Sequence, residues 1–89
     1  MSTIINETVN GILLTAKNQR ADFHNVNLNI TFDEDKKTYD FSITSESTNV
    51  IINIQNIKII RNEIVLRSGR ELNYVKGYFN KSPFEMYIW

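Results

Sequence analysis

Two runs of strict alternation, joined by five charged residues, constrain this chain more than anything else in it. Leu28, Ile30 and Phe32 alternate with Asn27, Asn29 and Thr31. After Asp33-Glu34-Asp35-Lys36-Lys37, Tyr39, Phe41 and Ile43 alternate with Thr38, Asp40, Ser42 and Thr44. A period of two places each apolar set on one face of a strand, so residues 27–44 read as an antiparallel hairpin with one buried and one wet face. A slip of one residue would turn every apolar side chain outward, so the register is strongly specified.

The next segment, VIINIQNIKII at residues 50–60, is rich in β-branched residues, and Lys58 is its only charge. Exposed, such a run pairs with any free sheet edge. Its parity is inconsistent: Val50, Ile52 and Ile54 are even, whereas Ile57 and Ile59 are odd. Either the strand is buried on both faces, or a bulge or a break near Gln55-Asn56 resets the facing, and a break is expected. On that expectation Ile57–Ile60, a turn at Arg61-Asn62 and Ile64–Leu66 form a second hairpin. The charge-free piece Val50, Ile51, Ile52, Asn53 and Ile54 becomes a possible edge-strand interface for a second chain.

Further on, Ser68-Gly69-Arg70 signals a turn. Leu72–Phe79 reads as a strand in which Gly77 marks a bulge or a close backbone approach. Ser82-Pro83 interrupts it, and Glu85–Trp89 is an apolar, aromatic piece that closes the sheet. The first residues are ambiguous. As a helix over residues 4–20, Ile5, Val9, Ile12, Leu13 and Ala16 share a stripe. As a hairpin, Asn10-Gly11 supplies a type I′ turn and puts Ile5, Val9, Ile12, Leu14 and Ala16 on one face, with Glu7 the exception. The β-branched residues, Asn and Gly of residues 3–12 favour the hairpin.

The fold expected is therefore mainly β: a small antiparallel barrel or two-layer sandwich of about five to eight short strands. The alternative is α+β, with the single helix over residues 4–20 packed on the sheet. The expected core is Leu28, Ile30, Phe32, Tyr39, Phe41, Ile43, Val50, Ile52, Ile54, Ile57, Ile59, Ile64 and Leu66. At 89 residues, with neither linker composition nor an internal repeat, the chain reads as one domain.

Composition narrows function mainly by exclusion. Ten basic and ten acidic residues balance, so no net charge draws the chain to nucleic acid or anionic lipid. The absence of cysteine rules out disulfides and thiolate metal sites and favours a reducing, cytoplasmic compartment. No stretch reads as a signal peptide or a membrane-spanning helix. Thirteen Ile and twelve Asn against two Ala suggest an AT-rich genome, such as that of a low-GC bacterium or its phage.

No constellation supports catalysis, a metal or a cofactor. His24 is the only histidine and has no cysteine to join it. Asp33-Glu34-Asp35 lacks the glycine and distal glutamate of a calcium loop and reads as a solvated hairpin tip. Asp40 and Glu63 could pair only if a cleft brought them together. Neither a nucleophile elbow nor a phosphate-binding loop is present.

The informative asymmetry lies in residues 74–89, which hold six of the ten aromatics. Arg67, Arg70, Tyr74, Lys76, Tyr78 and Trp89 are the candidate binding residues. Tyr, Trp and Arg are the types enriched at protein-interface hot spots. The expectation is a small non-catalytic protein-binding module, an inhibitor or accessory protein of a phage or mobile element that occludes a larger protein. One alternative is an OB- or Sm-like single-stranded nucleic-acid binder, in which rings stack on bases and cations track phosphate. A second is a structural subunit of a homo-oligomer.

Overall fold

The hairpin expected over residues 27–44 forms with the expected facing. The computed structural model describes residues 2–45 and 51–89. Leu28 lies opposite Ile43, Ile30 opposite Phe41 and Phe32 opposite Tyr39. Leu28, Ile30, Phe41 and Ile43 are buried, while Phe32 and Tyr39 are half-buried, their rings 4.9 Å apart and tilted by 49°. Asp33 shapes the turn: its Oδ1 accepts the backbone N–H groups of Asp35 and Lys36, and its carbonyl accepts that of Lys37.

Six antiparallel strands form one sheet that closes in a ring. They are β1 (Ser2–Ala16), β2 (Gln19–Asp33), β3 (Thr38–Thr44), β4 (Ile51–Arg67), β5 (Arg70–Phe79) and β6 (Ser82–Ile88). Each strand pairs with the next, and β6 returns to β1 with Ile12 opposite Ile88 and Ala16 opposite Phe84. Closure leaves no continuous edge around the ring. Inside it Ile12, Leu28, Phe41, Ile43, Ile57 and Met86 are almost wholly buried, and Phe41 meets Phe84 edge-on at 6.4 Å.

The first residues are neither a helix over 4–20 nor a hairpin about Asn10-Gly11. Residues 2–16 are one strand, and the turn falls at Lys17-Asn18, both with positive φ as a type I′ turn requires. The facing nevertheless holds: Val9 and Ile12 are buried, and Ile5, Leu14 and Ala16 pack against the core. The switch of parity between Val9 and Ile12 lies opposite Asn25, whose φ is 53°. Gly11 is needed for close approach, because a Cβ there would sit 2.3 Å from Cζ2 of Trp89.

β4 is likewise continuous. A bulge, not a break, resets the parity: Phe41 and Tyr39 are spanned by Ile54 and Ile57, with Asn56 at φ 61°. The backbone N–H of Asn56 donates to Oδ1 of Asp40 at 3.0 Å. The turn expected at Arg61-Asn62 is absent, and a second register shift between Ile59 and Arg61 carries the strand on to Arg67. Gly77 faces this shift and approaches it closely, as expected, since its Cβ would lie 2.2 Å from the Lys58 carbonyl oxygen. Ser68-Gly69 turns the chain as expected, and Asn80-Lys81 makes the last turn. Ser82-Pro83 therefore begins β6 instead of interrupting a strand.

Two expected core positions are corrected. Ile64 and Leu66 are 68% and 66% exposed. The pairing of β3 with β4 ends at Ile57, and that of β6 with β5 ends at Asn73. Among the described residues, β4 beyond Ile57 has β5 as its only partner, and residues 70–72 of β5 have only β4. The far end of this pair is a two-stranded ribbon, and among the described residues Ile64 and Leu66 on it stay largely uncovered. Ile57 is buried, Ile52, Ile54 and Ile59 are packed on the core, and Val50 lies outside the described residues.

Candidate functional site

Outward-facing positions of β1, β6, β5 and β4 align into cross-strand rows. Leu13 is opposite Tyr87, Tyr87 opposite Tyr74, and Tyr74 opposite Glu63. One row further along, Val65 is opposite Leu72, and Trp89 is hydrogen-bonded to Gly11 in both directions at 3.1 Å. Arg67 and Arg70 face each other beyond these. The outer wall, normally the wet side of a small barrel, thus carries an apolar and aromatic strip with two arginines at its end. Leu13, Leu72, Tyr87, Trp89, Arg67 and Arg70 line an open groove of about 610 Å³ together with Ser68.

Three of the six candidate binding residues, Arg67, Arg70 and Trp89, meet in this groove. Arg67 donates from Nη1 to the Leu66 carbonyl at 3.0 Å, which holds its guanidinium along the ribbon. Tyr74 plays a different part. It is only 8% exposed, its ring lies 5.0 Å from that of Tyr87, and its hydroxyl donates to Oε2 of Glu85 at 2.6 Å. The bond to the Glu85 carboxylate, then burial, then the negative charge of Glu85 and Tyr87, push the phenol up to about 12, against a smaller opposing pull from Arg61. Tyr74 is therefore a fixed support beneath the strip. Lys76 stands between Arg61 and Glu85 in the adjoining row. Tyr78 lies elsewhere, opposite Lys58 and Pro83.

The edge-strand candidate is divided. Ile51, Ile52, Asn53 and Ile54 pair with β3, opposite Thr44, Ile43, Ser42 and Phe41. Among the described residues, β5 begins to pair with β4 only at Ile57, so the other edge of this segment has no strand beside it. Ile52 and Ile54 of this segment are committed inward, packed on the core. The more exposed aliphatic edge is the ribbon, where Ile60 is 57% exposed as well as Ile64 and Leu66.

Leu13, Leu72 and Tyr87 were not among the candidates drawn from the sequence. A signal existed for Tyr87: Phe84, Met86 and Ile88 alternate with Glu85, Tyr87 and Trp89, so a strand with the first set inward must expose aromatics on its outer face. Asp40 and Glu63 have separate partners, the Asn56 amide and Arg61 at 3.2 Å. Among the described residues, no group of three or more His, Cys, Asp or Glu side chains could hold a metal ion, and no helix is long and apolar enough to cross a membrane. Comparison with protein-family models, curated proteins and solved structures returns no match.

Proposed function

We propose that this protein is a small non-catalytic binding module that docks on a larger protein through the β4–β5 ribbon and the adjoining outer strip. The observation that carries this is the exposure of Ile60, Ile64 and Leu66, at 57%, 68% and 66%, on a ribbon whose β4 edge has no other strand beside it among the described residues. Exposed aliphatics that cluster on one element mark association surfaces, and an unpaired edge offers main-chain hydrogen bonds to a partner strand. On the opposite, outer face of the ribbon and the strands next to it, Arg67, Arg70, Tyr87 and Trp89 are of the types that anchor protein interfaces. The mechanism is occlusion, the role of an inhibitor or accessory factor covering part of its target. The cysteine-free composition suits a cytoplasmic setting, and the codon bias suits a phage or mobile element.

The test is capture from extracts of the source cells with the native chain and with Ile64→Asp/Leu66→Asp. Both substitutions lie at exposed positions, so the variant folds with stability within about 1 kcal/mol of native. A protein retained by the native chain and lost by the variant supports docking through the ribbon. Retention of nucleic acid alone, or of the same protein by both chains, refutes it.

A further inference from the structure

A second groove, lined by none of the residues of the first, gathers cations. Strand register puts Lys58 opposite Tyr78, and Tyr39 opposite Ile57 brings Thr38 alongside Lys58. The β2–β3 turn adds Lys36, and the β5–β6 turn adds Asn80 and Lys81. These residues, with Asn56, line an open groove of about 680 Å³ on the outer wall. Among the described residues lining it, the ammonium groups of Lys36, Lys58 and Lys81 meet no carboxylate. Two nearby acids are turned to backbone: Asp33 Oδ1 takes the N–H groups of Asp35 and Lys36, and Asp40 Oδ1 takes that of Asn56, while Glu34 and Asp35 adjoin Lys36 in the turn.

A second observation is independent of charge. Thr38 lines the groove, is only 6% exposed, and its Oγ1 has no hydrogen-bond partner. That oxygen lies beneath the groove surface, almost closed to solvent, so a ligand reaches it only if the wall shifts; a buried hydroxyl without a partner is costly and uncommon. Beside it the Tyr78 ring is 40% exposed in the groove wall, a flat surface on which a base can stack. The amides of Asn56 and Asn80 offer both donors and acceptors. The groove's volume is within the range of small-molecule sites.

We propose that this groove binds a nucleoside phosphate. The three lysines hold the phosphate, and the base stacks on Tyr78 with its edge toward the asparagine amides. The site is separate from the docking strip and does not depend on it.

The experiment is a titration of the isotope-labelled chain, followed by amide NMR, with adenosine monophosphate, inorganic phosphate, adenosine and a short single-stranded oligonucleotide. The result expected is saturable binding of the mononucleotide, about tenfold or more tighter than phosphate or adenosine, with shifts centred on Thr38, Lys58, Tyr78 and Lys81. Lys58→Gln/Lys81→Gln weakens it by at least about tenfold, since each lysine supplies a charge-assisted bond, and leaves the melting temperature unchanged. Tyr78→Leu removes the preference for nucleotide over phosphate. The proposal is overturned if phosphate binds as well as the mononucleotide or if the lysine variant binds as the native chain does. It is also overturned if only the oligonucleotide binds, with shifts reaching Arg67 and Arg70.

Discussion

Gly77→Ala tests how tightly β4 and β5 are locked where the ring narrows. The added Cβ would lie 2.2 Å from the Lys58 carbonyl oxygen and 3.1 Å from Cε1 of Phe84, whereas ordinary contact begins at 3.4 Å. The first obstacle is backbone, held in the sheet on either side by Ile57 opposite Phe79 and Arg61 opposite Lys76. It can yield only by parting the strands. Strain of this kind costs about 1–3 kcal/mol, and each backbone group left buried without its partner adds about 1–3 kcal/mol. Loss of a single ladder bond brings the expected cost to about 3–4 kcal/mol. Stability at about 0.05–0.15 kcal/mol per residue gives this chain about 4–13 kcal/mol in all, so the variant loses a large share. At about 4–8 °C per kcal/mol for a domain of this size, the melting temperature falls by more than about 12 °C. Urea and thermal unfolding, followed by the fluorescence of the single Trp89 and by circular dichroism, measure it. Gly69→Ala is the control: φ is +74° with nothing within 4 Å, so only the left-handed backbone strain of about 1–2 kcal/mol applies. A Gly77→Ala chain within about 1 kcal/mol of native, or no less stable than Gly69→Ala, refutes the close approach of the strands.

Other outcomes follow from the same geometry. In Gly11→Ala the Cβ meets the Trp89 indole, a side chain that can swing away, so the emission shifts to the red and the stability loss is smaller than for Gly77→Ala. Tyr74 makes stability depend on alkaline pH. Below pH 10 the phenol is neutral whether the chain is folded or unfolded; above it the unfolded chain ionises first, because the folded value is raised to about 12. Stability therefore falls as pH rises from 10 toward 12, and Tyr74→Phe removes that part of the slope in urea titrations across this range.

What could be read from the sequence, and what could not, follows from the range of the interactions. The β2–β3 hairpin was legible because its two faces and its turn lie within one short segment. Asn10-Gly11 misled because the glycine serves Trp89, far away in the chain, and not a turn; the actual turn uses Lys17-Asn18, where a left-handed lysine carries no sequence signature. In β4 the parity change was visible, but a bulge at Asn56 and a break produce the same pattern. Ile64 and Leu66 look like core because nothing local reveals that β3 stops at the level of Ile57. The meeting of Arg67 and Arg70 owes much to the Ser68-Gly69 turn, which was legible; that of Lys36, Lys58 and Lys81 depends on register across two pairs of strands, β3 with β4 and β4 with β5.

Where the β4–β5 ribbon meets a partner protein, site-directed photo-crosslinking in the source cells captures the contact. A photoreactive residue replaces Leu66 in one chain and Asn18, in the exposed β1–β2 turn, in another. Docking through the ribbon gives a discrete protein adduct from position 66, absent from position 18. Adducts from position 18 alone, or from neither, contradict it.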